Sequence, residues 1–150
     1  MGCDSEKMSS CVCDTLLSIV EAQDQVENDC QYSCSSAIQE LVEGINSRYN
    51  TIPVMLTTKS DSEPFVGHGV QRVGGHGTNF DVIHSIVFRV NDVDPETCCA
   101  TLELLQFGKD KSKSHLMKAI ETTPLVATNV CITVDLRCFC AVTCLPPVTL

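Results

Sequence analysis

The chemistry that this sequence could carry lies first in its cysteines. Eleven of its 150 residues are cysteine, which is far above ordinary usage. Thiolates attack electrophiles, bind metal ions and form disulfides. Because the number is odd, complete pairing within one chain leaves one thiol for a second chain or unpaired. The positions are Cys3, Cys11, Cys13, Cys30, Cys34, Cys98, Cys99, Cys131, Cys138, Cys140 and Cys144.

The spacing of the cysteines limits how they can act together. Two C-x-C pairs occur, at 11–13 and at 138–140, and residues i and i+2 of an extended strand point to the same side. Adjacent Cys98 and Cys99 point to opposite faces of a strand, so we expect them to serve different partners rather than bond each other. Three uses stay open: small buried hydrophobic side chains, metal ligands, and disulfides within or between chains.

A zinc site needs closely spaced ligand pairs, usually two of them. Only Cys30–Cys34 and Cys140–Cys144 have such spacing, and no C-x2-C occurs. The histidines form no H-x3–5-H pair; they are His68, His76, His84 and His115. We therefore predict no metal site and no cofactor. A small cysteine-rich metal-binding or redox module is kept as the alternative function.

Catalysis has weaker support in the sequence. A cysteine and a histidine can form a nucleophile and base pair, but no signature of such a pair stands out. The segment 67–77 holds five glycines and two histidines, and it lacks the G-K-[ST] ending of a phosphate-binding loop. We interpret it as a surface loop or an irregular strand pair. The prediction is a protein that is not an enzyme and has no catalytic residues.

The composition indicates a globular acidic protein. Hydrophobic residues make up 43% of the chain, and the formal net charge is −9. Such a chain can build a core, and it is a poor ligand for nucleic acid or an anionic membrane. It has no apolar run near 18 residues and no apolar stretch near the start typical of a secretory signal. We therefore expect synthesis in a reducing cytosol, with no nucleic acid or membrane as partner.

The hydrophobic pattern predicts a single domain over 1–150 with helices first and strands afterwards. Residues 1–13 are predicted to be a flexible cysteine-bearing arm, and 14–46 a helical segment with two helices, the second capped by Ser36 and Gln39. From residue 51 the apolar period changes to two, which indicates a β-rich body over 51–150. The strands that we expect there are 52–58, 82–90, 98–107, 125–127 and 130–136, the last continuing in phase into 138–145. One face of the strand over 98–107 is expected to carry Cys98, Ala100, Leu102 and Leu104, and one face of the strand over 138–145 is expected to carry Cys138, Cys140 and Cys144. The predicted fold class is α+β: two N-terminal helices followed by an antiparallel β-sandwich or barrel-like sheet of about six strands.

The C-terminal region carries a resemblance to a known family. Cys131 to Leu145 reads CITVDLRCFCAVTCL, which closely resembles the signature of the CotY, CotZ and ExsY family of Bacillus-type spore outer-layer proteins. Shorter stretches agree in the same order: CVCD from Cys11, SIVFRV from Ser85 and CCATL from Cys98. The resemblance spans 11–150 and departs from the family in 67–77 and 107–123.

The resemblance implies a structural role. Family members are made in the mother-cell cytoplasm of sporulating cells and assemble on the spore surface as coat crust or exosporium basal layer. It implies a self-assembling tile, expected to be hexameric, that forms a two-dimensional hexagonal lattice reinforced by disulfide cross-links. The expected partners are further copies of this chain and paralogous spore coat or exosporium proteins. Cytosolic synthesis followed by oxidation would explain many thiols in a chain without a secretory signal.

Under this interpretation the cysteines divide into two groups. Cys3, Cys11 and Cys13 are the candidates for inter-chain cross-links, since a flexible arm can reach a neighbouring copy. The remaining eight are candidates for disulfides within the domain or for receptors of that arm; they are Cys30, Cys34, Cys98, Cys99, Cys131, Cys138, Cys140 and Cys144. The connectivity cannot be derived from the sequence.

Overall fold

A computed structural model describes residues 11–23, 30–43, 49–74, 77–108 and 124–150. The chain divides into two compact units, Met1–Gln31 and Tyr32–Leu150. The first unit contains helix α1 (Cys11–Gln23). The second contains helix α2 (Cys34–Glu43) and all of the described strands. Two helices followed by strands in antiparallel sheets confirm the predicted α+β class.

Helix α1 includes more of the N-terminal cysteines than expected. Cys11 and Cys13 lie inside the helix rather than in an arm before it, so Asp14 is not its first residue. The Thr15 and Ser18 hydroxyls donate to carbonyls four residues earlier, as these side chains do within helices. No residue of α1 is buried. The predicted arm up to residue 10, including Cys3, lies outside the described residues.

Helix α2 begins with a reciprocal cap made by two serines. The Ser36 amide donates to Ser33 Oγ at 3.1 Å, and the Ser33 amide donates to Ser36 Oγ at 2.9 Å. This is a capping-box arrangement that satisfies free amides of the first turn. It lies three residues before the predicted cap, and Gln39 instead donates to the Glu43 carboxylate. The described helices have 13 and 10 residues, and none in this part of the chain could span a bilayer.

The described part of the second unit contains seven strands, one more than predicted. Their bounds are β1 (Val54–Thr58), β2 (Gly67–Arg72), β3 (Phe80–Ser85), β4 (Val87–Val93), β5 (Cys99–Phe107), β6 (Leu125–Asp135) and β7 (Phe139–Cys144).

The strands form a five-stranded sheet and a separate hairpin. The order in the sheet is β6-β5-β4-β1-β7, and β2 pairs with β3. All neighbours are antiparallel. Strands β6 and β7 are consecutive in the chain and lie at opposite edges of the sheet, joined by the 3₁₀ turn Leu136–Cys138. The expected continuous strand through Cys138 is therefore broken by this turn.

The hairpin packs on one face of the sheet through two glycines. A Cβ on Gly67 would lie 2.6 Å from Phe88 Cε1, and one on Gly69 would lie 2.4 Å from Val130 Cγ1. Ile83 of β3 joins the same buried cluster as Leu102 and other side chains of the sheet. The two layers approach so closely that side chains at the two glycine positions would clash. Residues 67–72 of the glycine-rich segment are thus one strand of a regularly paired hairpin rather than the surface loop or irregular strand pair that we expected, and residues 75 and 76 lie outside the described part of the chain.

A single predicted strand over 82–90 is divided into β3 and β4 at Ser85 and Ile86. The Ser85 hydroxyl accepts from the Val87 amide at 3.0 Å and contacts the carbonyl oxygens of Val87 and Leu105. Both Ser85 and Ile86 are buried. The serine hydroxyl replaces the ladder bonds that are lost where the chain leaves the hairpin and enters the sheet.

Candidate disulfide and cross-linking sites

A disulfide joins Cys34 and Cys144 within the second unit. The Cα atoms are 4.8 Å apart and the two residues are separated by 110 positions in the sequence. Cys34 is the first residue of α2. Cys144 is the last residue of β7, where it pairs with Val54 of β1 and packs against the main core cluster. The bond thus connects the first described helix of this unit to its last strand.

The helix cap and the sheet register bring these two cysteines together. Ser33 and Ser36 set the point at which α2 begins, and Ala37 is buried one turn later. On the other side, β7 pairs with β1 over five residue pairs. A disulfide can form only when both backbones are held at a matching distance. Packing and register therefore select Cys144 as the partner.

Seven further cysteines of the described residues carry free thiols. Six of them are exposed and Cys98 is half-buried. Cys13 is disulfide-bonded. This exposure excludes the interpretation of most of them as small buried hydrophobic side chains, which would be shielded from water. The exposed free thiols are Cys11, Cys30, Cys99, Cys131, Cys138 and Cys140.

Four free thiols lie around the 3₁₀ turn between β6 and β7, a region that we call the thiol end: Cys98, Cys99, Cys138 and Cys140. Cys99 begins β5 and pairs with Asp135, the last residue of β6. The Leu136 amide of the 3₁₀ turn donates to the Cys98 carbonyl at 2.9 Å. Cys98 lies just before β5, and Cys99 is the first residue of that strand. Both thiols are free, in agreement with the expectation that they do not bond each other.

Cys138 and Cys140 lie on the β7 side of the same turn. The Lys59 amide donates to the Cys138 carbonyl at 3.0 Å. The Cys140 sulfur lies 3.5 Å from the Thr58 carbonyl oxygen. Cys138 belongs to the turn and only Cys140 to β7, so the expected common face of Cys138, Cys140 and Cys144 is wrong for Cys138. The turn thus lies between Cys98 and Cys99 at the start of β5 and Cys140 near the start of β7.

An exposed ion pair orders the turn at the thiol end. Arg137 Nη2 lies 2.9 Å from Asp135 Oδ2, and the Arg137 amide donates to Asp135 Oδ1 at 3.0 Å. The hydrogen bonds from the Arg137 side chain and amide hold the pKa of the Asp135 carboxyl below its usual value. Asp135 raises the pKa of Arg137, with smaller contributions from Cys98 and Cys99. The Arg137 guanidinium is thus near enough to Cys98 and Cys99 to interact with them electrostatically.

A further concave feature lies between β1, β4 and β7. Strand β4 pairs with β1 only at Phe88 and Val54, and an open cavity of about 410 Å³ lies where the strands diverge. Its lining is aliphatic or aromatic except for Cys140. Among the described residues, no group of three or more His, Cys, Asp or Glu side chains is arranged to hold a metal ion. The arrangement can form disulfides at its surface, and one of these exposed thiols, Cys140, lies at the wall of an apolar cavity.

Comparisons with known proteins agree with one another. The family model described as Spore coat protein Z matches residues 1–147. A relative in Bacillus subtilis (strain 168), described as spore coat protein Z, is 37% identical over 149 residues, covering 95% of this chain and 93% of the relative. No solved structure matches.

Proposed function

The chain belongs to the Spore coat protein Z family, and from this membership we propose that it is a structural, non-enzymatic protein of the spore's outer layer. Its place is the coat crust or the exosporium basal layer. The observation that carries the proposal is the family match over nearly the whole chain, combined with six exposed free thiols on its surface. A protein that hardens by oxidation needs thiols that other chains can reach.

The proposed assembly is a hexameric tile of identical copies in a two-dimensional hexagonal lattice. Cyclic rings with repeating contacts can tile a plane. The second unit offers surfaces suited to such contacts. Among the described strands, β6 and β7 each pair on one side only, and an unpaired strand edge can bind another chain. The outer face of the hairpin exposes Val70, Phe80 and Val82, which is typical of an interaction surface.

Disulfides between copies are proposed to follow assembly. The Cys34–Cys144 bond closes the second unit on itself. We assign inter-chain bonding to Cys11 and to the exposed thiols of the thiol end. Cys13 is already bonded and Cys11 is an exposed free thiol, which makes Cys11 the first choice of these two; Cys3 lies outside the described residues and stays a candidate. Synthesis in the mother-cell cytoplasm would keep these thiols reduced until the protein is on the spore.

Electron microscopy of the purified full chain tests the assembly. Negative-stain images are recorded before and after treatment with a strong reductant. We expect ordered sheets or large rings in both samples, because non-covalent contacts set the geometry. A monodisperse monomer under both conditions, and also after mixing with paralogous coat proteins, would overturn the proposal.

A second experiment tests the cross-links. In the variant Cys11→Ser/Cys99→Ser/Cys138→Ser/Cys140→Ser, we expect assemblies of unchanged geometry that dissociate to monomers in hot detergent without reductant. The control Thr143→Ser changes an exposed residue of β7, the strand that contains Cys140, and removes no thiol. Its assemblies should resist hot detergent as those of the unmodified chain do. Unchanged resistance in the cysteine variant would contradict the assignment of these residues while leaving the lattice proposal intact.

A further inference from the structure

The outer face of the β2–β3 hairpin carries two histidines directly opposite each other. His68 is paired with His84 in the antiparallel register, and the ring centroids are 5.8 Å apart. His68 is exposed and His84 is half-buried. Directly opposed residues on one face of such a pair have Cβ atoms about 4.5–5.5 Å apart. Both imidazoles therefore rise from one small patch of surface.

The backbone beneath this patch is held in place by the core. Gly67 and Gly69 flank His68, and their backbone lies directly on Phe88 and Val130. Across the hairpin, the neighbours of His84 are Ile83 and Ser85, which are both buried. A one-residue slip of the register would turn the inner residues outward. The backbone that carries the two histidines is thus already fixed in the free protein, so ligand binding costs little conformational entropy.

We propose that His68 and His84 together bind a divalent transition-metal ion such as Zn²⁺. Imidazole nitrogens ligate zinc at about 2.0–2.1 Å, so two ligands of one ion lie within about 4 Å of each other. Rings with centroids 5.8 Å apart reach this arrangement by rotation of the side chains alone. Water fills the other coordination positions. The next pair along the same face is Val70 and Val82, which adds no ligand and leaves the ion open to solvent.

This site is distinct from the cysteine chemistry and does not rest on the proposed function. A search for closely spaced zinc ligands in the sequence does not find this site, because the two histidines are sixteen positions apart. They are brought together by the pairing of two strands rather than by a helix or a zinc knuckle.

Isothermal titration calorimetry of the purified full chain with Zn²⁺ tests the proposal. Free thiols are first alkylated with iodoacetamide, because cysteine also binds zinc. We expect one Zn²⁺ per chain. His68→Ala and His84→Ala should each weaken binding by about tenfold or more, since the loss of a ligand costs at least as much as the loss of its outer-shell partner. His115→Ala, a change of a histidine elsewhere in the sequence, should leave the binding unchanged.

A stability measurement separates binding from misfolding. Far-UV circular dichroism should be the same for all variants without metal, because both side chains lie on the outer face of the hairpin. Zn²⁺ should raise the Tm of the alkylated unmodified chain, since a ligand that binds the folded state stabilises it, and should not raise that of either single variant. Absence of binding in the alkylated unmodified chain, or equal binding in His68→Ala, would overturn the proposal.

Discussion

Cys34 of helix α2 and Cys144 of strand β7 are joined by a disulfide across 110 positions of sequence. The bond ties the helix to the edge strand of the five-stranded sheet. The second unit is therefore covalently closed without a second chain. Four of the free thiols lie at the thiol end, and three of these four are exposed while Cys98 is half-buried. One group of cysteines thus stabilises the fold and another is available for chemistry outside it.

Removal of this disulfide is expected to lower the stability of the fold strongly. In the chain-entropy model, a bond that closes a loop of about 100 residues stabilises the folded state by about 4–5 kcal/mol. The variant Cys34→Ser/Cys144→Ser should lose free energy of unfolding of that order in urea titrations of non-assembled protein. Cys131→Ser, which changes an exposed free thiol, is the control and should lie within about 0.5 kcal/mol of the unmodified chain. Equal midpoints for both variants would contradict the prediction.

Gly69→Ala is expected to destabilise the packing of the hairpin. The new Cβ would lie 2.4 Å from Val130 Cγ1, and a β-branched side chain has little freedom to move away. Overpacking of this kind costs about 1–3 kcal/mol, whereas alanine in place of glycine in a strand would otherwise be favourable. Thermal unfolding measures the change. Val70→Ala, at the neighbouring exposed position, should have a much smaller effect, and the reverse order would refute the close approach.

Glu103 is expected to stabilise the bulge in β6. Its side chain is buried, and its carboxylate accepts from the Asn129 amide at 3.2 Å and from Asn91 Nδ2 at 3.3 Å. Asn129 has a φ of 60°, where few side chains are favourable. Glu103→Ala removes the carboxylate that accepts from both groups and should cost about 1.5–3 kcal/mol of unfolding free energy, the range for hydrogen bonds to a charged group.

The control for Glu103 is Glu63→Ala, because Glu63 is an exposed carboxylate. Glu103→Gln keeps one side-chain oxygen as an acceptor and should cost less than Glu103→Ala. Urea titration of the three variants gives the order. If Glu103→Ala is as stable as Glu63→Ala, the hydrogen bonds to the bulge contribute nothing.

The Asp135–Arg137 pair is expected to make part of the stability depend on acid. The folded pKa of Asp135 is lowered from its ordinary value of 3.8 by its hydrogen bonds with Arg137. The contribution of the ion pair to the free energy of unfolding is therefore complete at a pH above the ordinary pKa of 3.8, and it is lost as the pH falls through the lower pKa of the folded state. The Tm of the unmodified chain should fall between neutral pH and about pH 3 more than that of Asp135→Asn. Asp92→Asn, at an exposed position, should follow the unmodified chain; a parallel fall in Asp135→Asn would exclude the pair as a cause.

Local patterns of sequence predicted the kinds of element correctly. The alternation of Cys98, Ala100, Leu102 and Leu104 predicts one face of a strand. The last three residues are buried in the core of the sheet, whereas Cys98 precedes the first residue of β5. The change of apolar period near residue 51 marked the change from helices to strands. These signals survive because a strand or helix with one buried face needs the same period in any fold.

Points where the chain changes direction were predicted less well. The apolar run over 82–90 gives no sign of the break at Ser85. The serine hydroxyl forms hydrogen bonds with the backbone of Val87, so the chain changes direction there without a glycine, proline or asparagine that would mark a turn. Residues 125–127 and 130–136 were expected as two strands, but they form the single strand β6 around a bulge at Asn129. At the break the Ser85 hydroxyl accepts a backbone hydrogen bond, and at the bulge the Glu103 carboxylate of β5 accepts from the Asn129 amide. Because these bonds compensate for the irregular backbone, the apolar periodicity of the sequence does not reveal it.

The sequence by itself determined the class of fold, the number of thiols and the family. Tertiary structure decided which of those thiols are joined and which stay free: Cys34 meets Cys144 because a helix cap and a strand register end at the same place. It also brought together His68 and His84, whose pairing depends on the register of a hairpin anchored by Gly67 and Gly69. The physical reason is the same in both cases. Periodicity and composition act between near neighbours, whereas contacts between distant residues depend on packing and register, which only the folded chain supplies.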